Sequence, residues 1–384
     1  METEKELKRL LSGISPADKK AMEAAKKRWN SVAKPIGSLG ILEEDIIKIA
    51  GIRKNASGIH ADKTALAVMC ADHGVVEEGV TQTGQEVTRI VAENFTKGMS
   101  SVTIMCRVSG TDVFPVDMGM VGETPNVSAV KPFTLLNRKT AFGSGNIVRE
   151  PAMSREALIH ALLSGIDLAG ELKNMGYEVL ATGEMGIGNT TPSSALAAVL
   201  TGSSPELVTG RGAGLSDEGL LKKKEAVAKA VERFFCTYPG LRECEWLKGE
   251  HTEAALTLLS ELGGFDIAGM TGFFLGGAVH RIPVVIDGYI SSVAALLAVC
   301  ICGPVRDFLL ASHVSAEPAG ELIMDALGLK APLKCGMHLG EGSGAAAFLP
   351  LLKMGAEVYE KMGTFEDISV ETYVDYEAEG GKEA

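Results

Sequence analysis

Aromatic residues are scarce in this chain: Phe, Trp and Tyr together make up 5% of 384 residues. That shortage argues against an aromatic-rich β-sandwich. Cysteine is no scaffold either. The seven residues at 70, 106, 236, 244, 300, 302 and 335 are odd in number and scattered, and only Cys300 and Cys302 lie close. Without paired C-x-x-C elements a structural zinc site is not expected, and reduced thiols in a cytoplasmic protein are. Positive charge is lacking too: 37 Lys and Arg against 49 Asp and Glu leave a net charge of −12, which argues against nucleic-acid binding. No apolar run approaches the roughly 20 residues of a membrane span. Met1 to Lys27 is charged and amphipathic, without the apolar core of a signal peptide.

What the chain has is glycine, 45 residues of it, within a sequence that is 46% hydrophobic. The length suits roughly two domains. Short β-rich segments at Ala65–Cys70, Asp112–Asp117, Glu178–Thr182, Pro283–Ile286 and Phe308–Ser312 alternate with helical patterns. The helical patterns include Gln85–Lys97, Ser154–Asn174, Pro192–Leu200, Asp217–Phe235, Thr252–Leu262 and Ile290–Cys302. This alternation predicts an α/β protein with a doubly wound, mostly parallel, Rossmann-like sheet. Residues 61–344 are expected to form it. Residues 1–60 and about 345–384 are expected to form a smaller helical lobe. The last fifteen residues are acidic and glycine-ended, so fraying is expected there.

Ligands of such sheets bind beyond the carboxyl ends of the strands, where several glycine loops fall. Gly183-Glu184-Met185-Gly186-Ile187-Gly188-Asn189-Thr190-Thr191 and Leu339-Gly340-Glu341-Gly342-Ser343-Gly344 each carry one carboxylate, follow an apolar stretch and run into an alanine-rich helical pattern. Glycines there allow close backbone approach, and helix-start amides favour an anion such as phosphate. Two readings stand for Glu341: a site carboxylate without a local cation, or a helix-start acid that complements the dipole. Glu184 has the same two readings; Asn189, Thr190 and Thr191 beside it exceed what one N-cap needs. Gly210-Arg211-Gly212-Ala213-Gly214 runs into a helix with Lys222, Lys223 and Lys224. Such a run is ordinarily a solvated face, but one lysine turned inward would reach a phosphate. Asp72, His73, His313 and His338 raise a metal-hydrolase alternative, although no H-x-x-x-H or H-x-D cluster appears.

These loops, in order, resemble the nicotinate-nucleotide–dimethylbenzimidazole phosphoribosyltransferase family of cobalamin biosynthesis. The resemblance runs from about residue 28 to about residue 360. It rests on Lys34-Pro35-Ile36-Gly37-Ser38-Leu39-Gly40, Ala71-Asp72-His73-Gly74-Val75, Gln85-Glu86-Val87-Thr88 and Arg149-Glu150-Pro151-Ala152-Met153. The Glu184 loop, Gly210–Leu215, Phe265–Met270, Asp287-Gly288, Ser312–Glu317 and the Glu341 loop complete it.

The resemblance implies transfer of phosphoribose from nicotinate mononucleotide to a benzimidazole-type base, giving α-ribazole phosphate and nicotinate. It implies Glu341 as general base and Glu184 as a second acid near the ribose. Gly186, Gly188, Asn189, Thr190, Gly212, Lys223, Asp287 and Ser315 are implied at the phosphoribosyl group, and Thr81, Gln85 and Met185 at the base. A homodimer is implied, with no cofactor. The leaving pyridinium is already cationic, so the chemistry asks for one base, no acid and no metal. Inversion at the anomeric carbon follows from attack on the opposite face. Retention of the acids and the lysine weighs against a non-catalytic nucleotide-binding subunit. One departure concerns the acceptor: many members carry Tyr-Pro just before Gln-Glu-Val-Thr, where this chain has Thr81-Gln82-Thr83-Gly84. A relaxed base preference is expected.

Overall fold

Strand β1, Thr64–Ala71, is buried over its whole length, as a strand covered on both faces must be. In the computed structural model, which describes residues 2–125 and 135–373, it lies at the centre of a six-stranded sheet. The others are β2 (Thr111–Gly119), β3 (Leu136–Asn137), β4 (Val179–Met185), β5 (Val284–Ile286) and β6 (Leu309–Ala311). Every pairing is parallel, and the order is β3-β2-β1-β4-β5-β6. The order reverses between β1 and β4, so the crevice at the carboxyl ends of those two strands is the place such a sheet offers a ligand. The doubly wound expectation holds, and each expected strand is present with slightly shifted ends. Strand β3 was not expected, being two residues long.

Alternation along β1 supplies both faces. Ala65, Ala67, Met69 and Ala71 enter one core cluster, beneath helices Arg155–Asn174, Phe265–His280 and Tyr289–Ile301. Leu66, Val68 and Cys70 enter the other, shared with Ile41–Arg53, Ser101–Ser109 and Ser343–Lys361. Helices from both ends of the chain meet in that second core: the Trp29 and Tyr359 rings pack edge to face at 5.0 Å, and Arg28 donates to the Met362 carbonyl at 2.9 Å. Of the acidic tail and the C-terminal part of the expected lobe, residues 374–384 lie outside the described residues.

One helix crossing bears directly on the site. Arg155–Asn174 and Phe265–His280 approach so closely that a Cβ at Gly165 would stand 2.6 Å from the Phe273 nitrogen, and one at Gly276 2.8 Å from Ile166 Cα. A side chain at Gly272 would collide with the Leu162 backbone. Main chain cannot swing aside as a side chain can, so Gly272→Val is expected to cost about 1–3 kcal/mol or more. The denaturant midpoint measures it; a wild-type midpoint would refute the packing. The same crossing fixes where Asp266, in the first turn of the second helix, sits beneath the crevice.

Candidate active site

The carboxyl end of β4 delivers Glu184 into the interior, 8% exposed. Asn189 Nδ2 donates to Glu184 Oε2 and, at 3.0 Å, to Asp266 Oδ2. Burial pushes the Glu184 carboxyl up to about 8; the Asn189 hydrogen bond opposes that, and the carboxylates of Asp266, Asp287 and Glu341 add to it. Glu184 Oε1 lies against Gly340, where any Cβ would overlap it. The two glycine loops of the sequence therefore meet at Glu184.

Glu341 sits on the second loop in a left-handed conformation, φ 61°, between Gly340 at 81° and Gly342 at 96°. A glutamate held there is strained, and such strain marks sites where geometry is fixed for a purpose. The main chain of Glu341 and Gly342 presses on Gly183, where a Cβ would approach Gly342 N to 2.8 Å. The Glu341 Oε2 atom is buried without a hydrogen-bond partner. Burial raises the Glu341 carboxyl above its ordinary value, and the Val102 amide partly offsets this.

Asp287 holds this loop. Its Oδ1 accepts from Gly344 N at 2.7 Å and Ala345 N at 3.1 Å, and its Oδ2 from Gly342 N at 3.1 Å. Three orphan amides at the start of Ser343–Lys361 are thus satisfied. Against those bonds burial still pushes Asp287 up to about 7. The residue expected at the phosphoribosyl group has its carboxylate committed to the neighbouring backbone.

Of the three consecutive lysines only Lys223 turns inward, 1% exposed; Lys222 is exposed and Lys224 half-buried. Lys223 Nζ donates to Thr190 Oγ1 at 2.7 Å and to the Gly210 carbonyl at 3.0 Å. Gly212, φ 54°, lies so near that a Cβ would come within 3.2 Å of Nζ. Burial lowers the Lys223 ammonium to about 8, while Glu317 raises it. The Glu317 carboxylate leans on Gly210, and Ser315 Oγ accepts the Glu317 amide at 3.3 Å, which sets Ser315 at the rim of the lysine pocket.

On the other side, Gln85 donates to the His73 carbonyl at 2.9 Å. A Cβ on Gly188, φ 96°, would lie 3.7 Å from Thr81 Cγ2, so the Thr81 methyl borders the Glu184 loop. Gln82 donates to the Gly214 carbonyl. Gly186 packs against Ala71 and Asp266, and Met185 is half-buried across from Cys70 at the strand end. A cavity of about 560 Å³, lined by Gln85, Glu86, Arg89, Ile90, Glu93 and Val121, opens beside Gln85.

Contacts thus link Glu184 through Asn189 and Thr190 to Lys223, and through Gly340 to the Glu341 loop. Sequence reading missed Asp266 and Glu317 as members of this site. His73, weighed only as a metal ligand, stands with its Nε2 3.1 Å from Asp266 Oδ1, out of line for a full hydrogen bond. Among the described residues no group of three or more His, Cys, Asp or Glu is placed to hold a metal ion.

A family model described as phosphoribosyltransferase matches residues 14–370. The chain is 42% identical over 363 residues to the nicotinate-nucleotide–dimethylbenzimidazole phosphoribosyltransferase of Acetivibrio thermocellus, covering 94% of this chain and 97% of the relative. It is 40% identical over 365 residues to the enzyme of the same name from Ruminiclostridium cellulolyticum, at 94% and 97% coverage. The crystal structure of CobT from Thermus thermophilus superposes with a TM-score of 0.82 at 35% identity, covering 92% of this chain and 100% of that one.

Proposed function

The chain belongs to the nicotinate-nucleotide–dimethylbenzimidazole phosphoribosyltransferase family, and we propose that its crevice moves phosphoribose from nicotinate mononucleotide to a benzimidazole-type base. One observation carries the assignment of roles. The Glu341 loop, whose Glu341 Oε2 is buried and unpartnered, packs through Gly340 on Glu184, and Glu184 leads through Asn189 and Thr190 to the inward lysine.

In this reading Lys223, with Thr190 whose hydroxyl it holds, binds the phosphate. Glu341 takes the N–H proton of the incoming base as the C–N bond forms, and nicotinate leaves with the electron pair of the bond that breaks. Carboxylates that stay ionised in the crevice favour a cationic ribosyl centre beside them. Glu184, pushed up to about 8, serves near neutral pH as a carboxylic acid that donates to a ribose oxygen. Asp287 acts through the loop it anchors. The names of the relatives favour transfer over a non-catalytic subunit or a metal-dependent hydrolase.

Incubating the protein with nicotinate mononucleotide and a panel of bases, with products identified by mass, tests the reading. Ribazole phosphate is expected; release of nicotinate with ribose phosphate alone would refute it. Base preference is expected to be broad, because Thr81-Gln82-Thr83-Gly84 stands where the family resemblance places a Tyr-Pro pair beside the aromatic acceptor. An apolar pocket discriminates a methyl by only about 1–3 kcal/mol. In competition, dimethylbenzimidazole should therefore not exceed both benzimidazole and adenine by a thousandfold; if it does, this wall is not relaxed.

The same reading includes a homodimer in the cytoplasm. Exposed Ile90, Met99, Ile104 and Val108, on and between neighbouring helices Glu86–Lys97 and Ser101–Ser109, supply apolar surface for a second copy. No helix of the described residues is long and apolar enough to cross a membrane.

A further inference from the structure

Asn189 has one side-chain amino group, and two carboxylates share it. One N–H points to Glu184 Oε2 and the other to Asp266 Oδ2. A flipped amide would turn its oxygen toward two acids, so the orientation is fixed by charge. Asp266 is held in turn. Its Oδ1 accepts the Ile267 amide at 2.8 Å and stands 3.1 Å from His73 Nε2. The His73 ring is boxed by glycines: a Cβ at Gly186 would come within 3.1 Å of its Nε2, and one at Gly264 within 2.7 Å of its Nδ1. All four side chains are at most 8% exposed. The chain of contacts ends at Glu184, whose Oε2 is pinned while Oε1 remains on the Glu341 loop.

We propose that Asp266 and His73 are positioning residues, which orient Asn189 so that it holds Glu184 with one oxygen presented beside Glu341. The proposal rests on the transferase reading of the same crevice. Neither residue contacts the phosphate pocket around Lys223; both act through Asn189. The competing reading makes Asp266 a helix-start carboxylate and His73 a packed ring. That reading leaves the orientation of Glu184 unchanged: Asp266→Asn would then move the Glu184 midpoint through lost charge alone, with turnover near wild type and no difference between the His73 variants.

Turnover across the variants separates them, and the Glu184 midpoint checks that Asp266 faces Glu184. The charged groups facing Glu184 are Asp266, Asp287 and Glu341, and those facing His73 are Asp266 and Asp72. In full-length protein labelled at glutamate carboxyl carbons, Glu184→Gln identifies the Glu184 resonance. Asp266→Asn removes one facing carboxylate, so the Glu184 titration midpoint should fall to lower pH. Turnover should fall by about tenfold to a hundredfold, the scale for a misplaced group, with KM for nicotinate mononucleotide within about threefold. His73→Gln, which keeps an N–H toward Asp266, should retain most of the turnover, while His73→Phe should match Asp266→Asn. An unmoved midpoint in Asp266→Asn, or equal turnover for His73→Gln and His73→Phe, overturns the proposal. The titration needs no turnover: a wild-type protein that transfers nothing refutes the function, while the midpoint still judges the network.

Discussion

Glu341→Gln is expected to lower turnover by roughly a hundredfold or more, the contribution of a positioned base, with nucleotide binding retained. The substitution preserves shape and the left-handed loop and removes only the acceptor of the proton. The sign of the pH dependence follows. A base works deprotonated, and burial raises the Glu341 carboxyl, so wild-type turnover should rise with pH through a midpoint above the ordinary carboxylate range. In the variant that acid limb should disappear. Steady-state rates across pH check both statements, and wild-type turnover in the glutamine variant would sink the assignment.

Lys223→Ala carries the second large effect. A buried charged donor to phosphate is worth about 1.5–3 kcal/mol, so nicotinate mononucleotide should bind roughly tenfold to a hundredfold more weakly, and the free base nearly as before. The free-enzyme ammonium is lowered to about 8, so it is charged below that pH and neutral above it. The kcat/KM for the nucleotide should therefore fall as pH rises through about 8, and this alkaline limb should be lost in the variant. Calorimetric titration with each ligand measures the split; equal losses for both would indicate a folding defect.

The sheet was legible because each strand was apolar, short and bracketed by glycine loops, and because helical patterns separated the strands. Strand β3 was not, since two residues leave no periodicity. The site was legible as far as loops advertise themselves: Gly-Glu-Gly-Ser-Gly is rare enough to notice, and it holds three left-handed residues in succession. Lys223 was singled out through the family resemblance, and only burial separates it from Lys222 and Lys224. Asp287 shows the limit. A carboxylate after a strand reads as a ligand-binding acid, yet here it is spent on backbone amides that the sequence places more than fifty residues away. Asp266 lay in the Phe265–Met270 motif but was given no role there, and its meeting with Asn189, 77 residues distant in sequence, is set by the glycine-lined helix crossing.

The anomeric configuration of the product tests the central claim most directly. Nicotinate mononucleotide and dimethylbenzimidazole are incubated with the protein, and the ribosyl C1′ signal is read by NMR while released nicotinate is counted. The expected result is an α-riboside formed one for one with nicotinate, because Glu341 activates the base for attack opposite the leaving group. A β-riboside, or nicotinate released without a riboside, would contradict it.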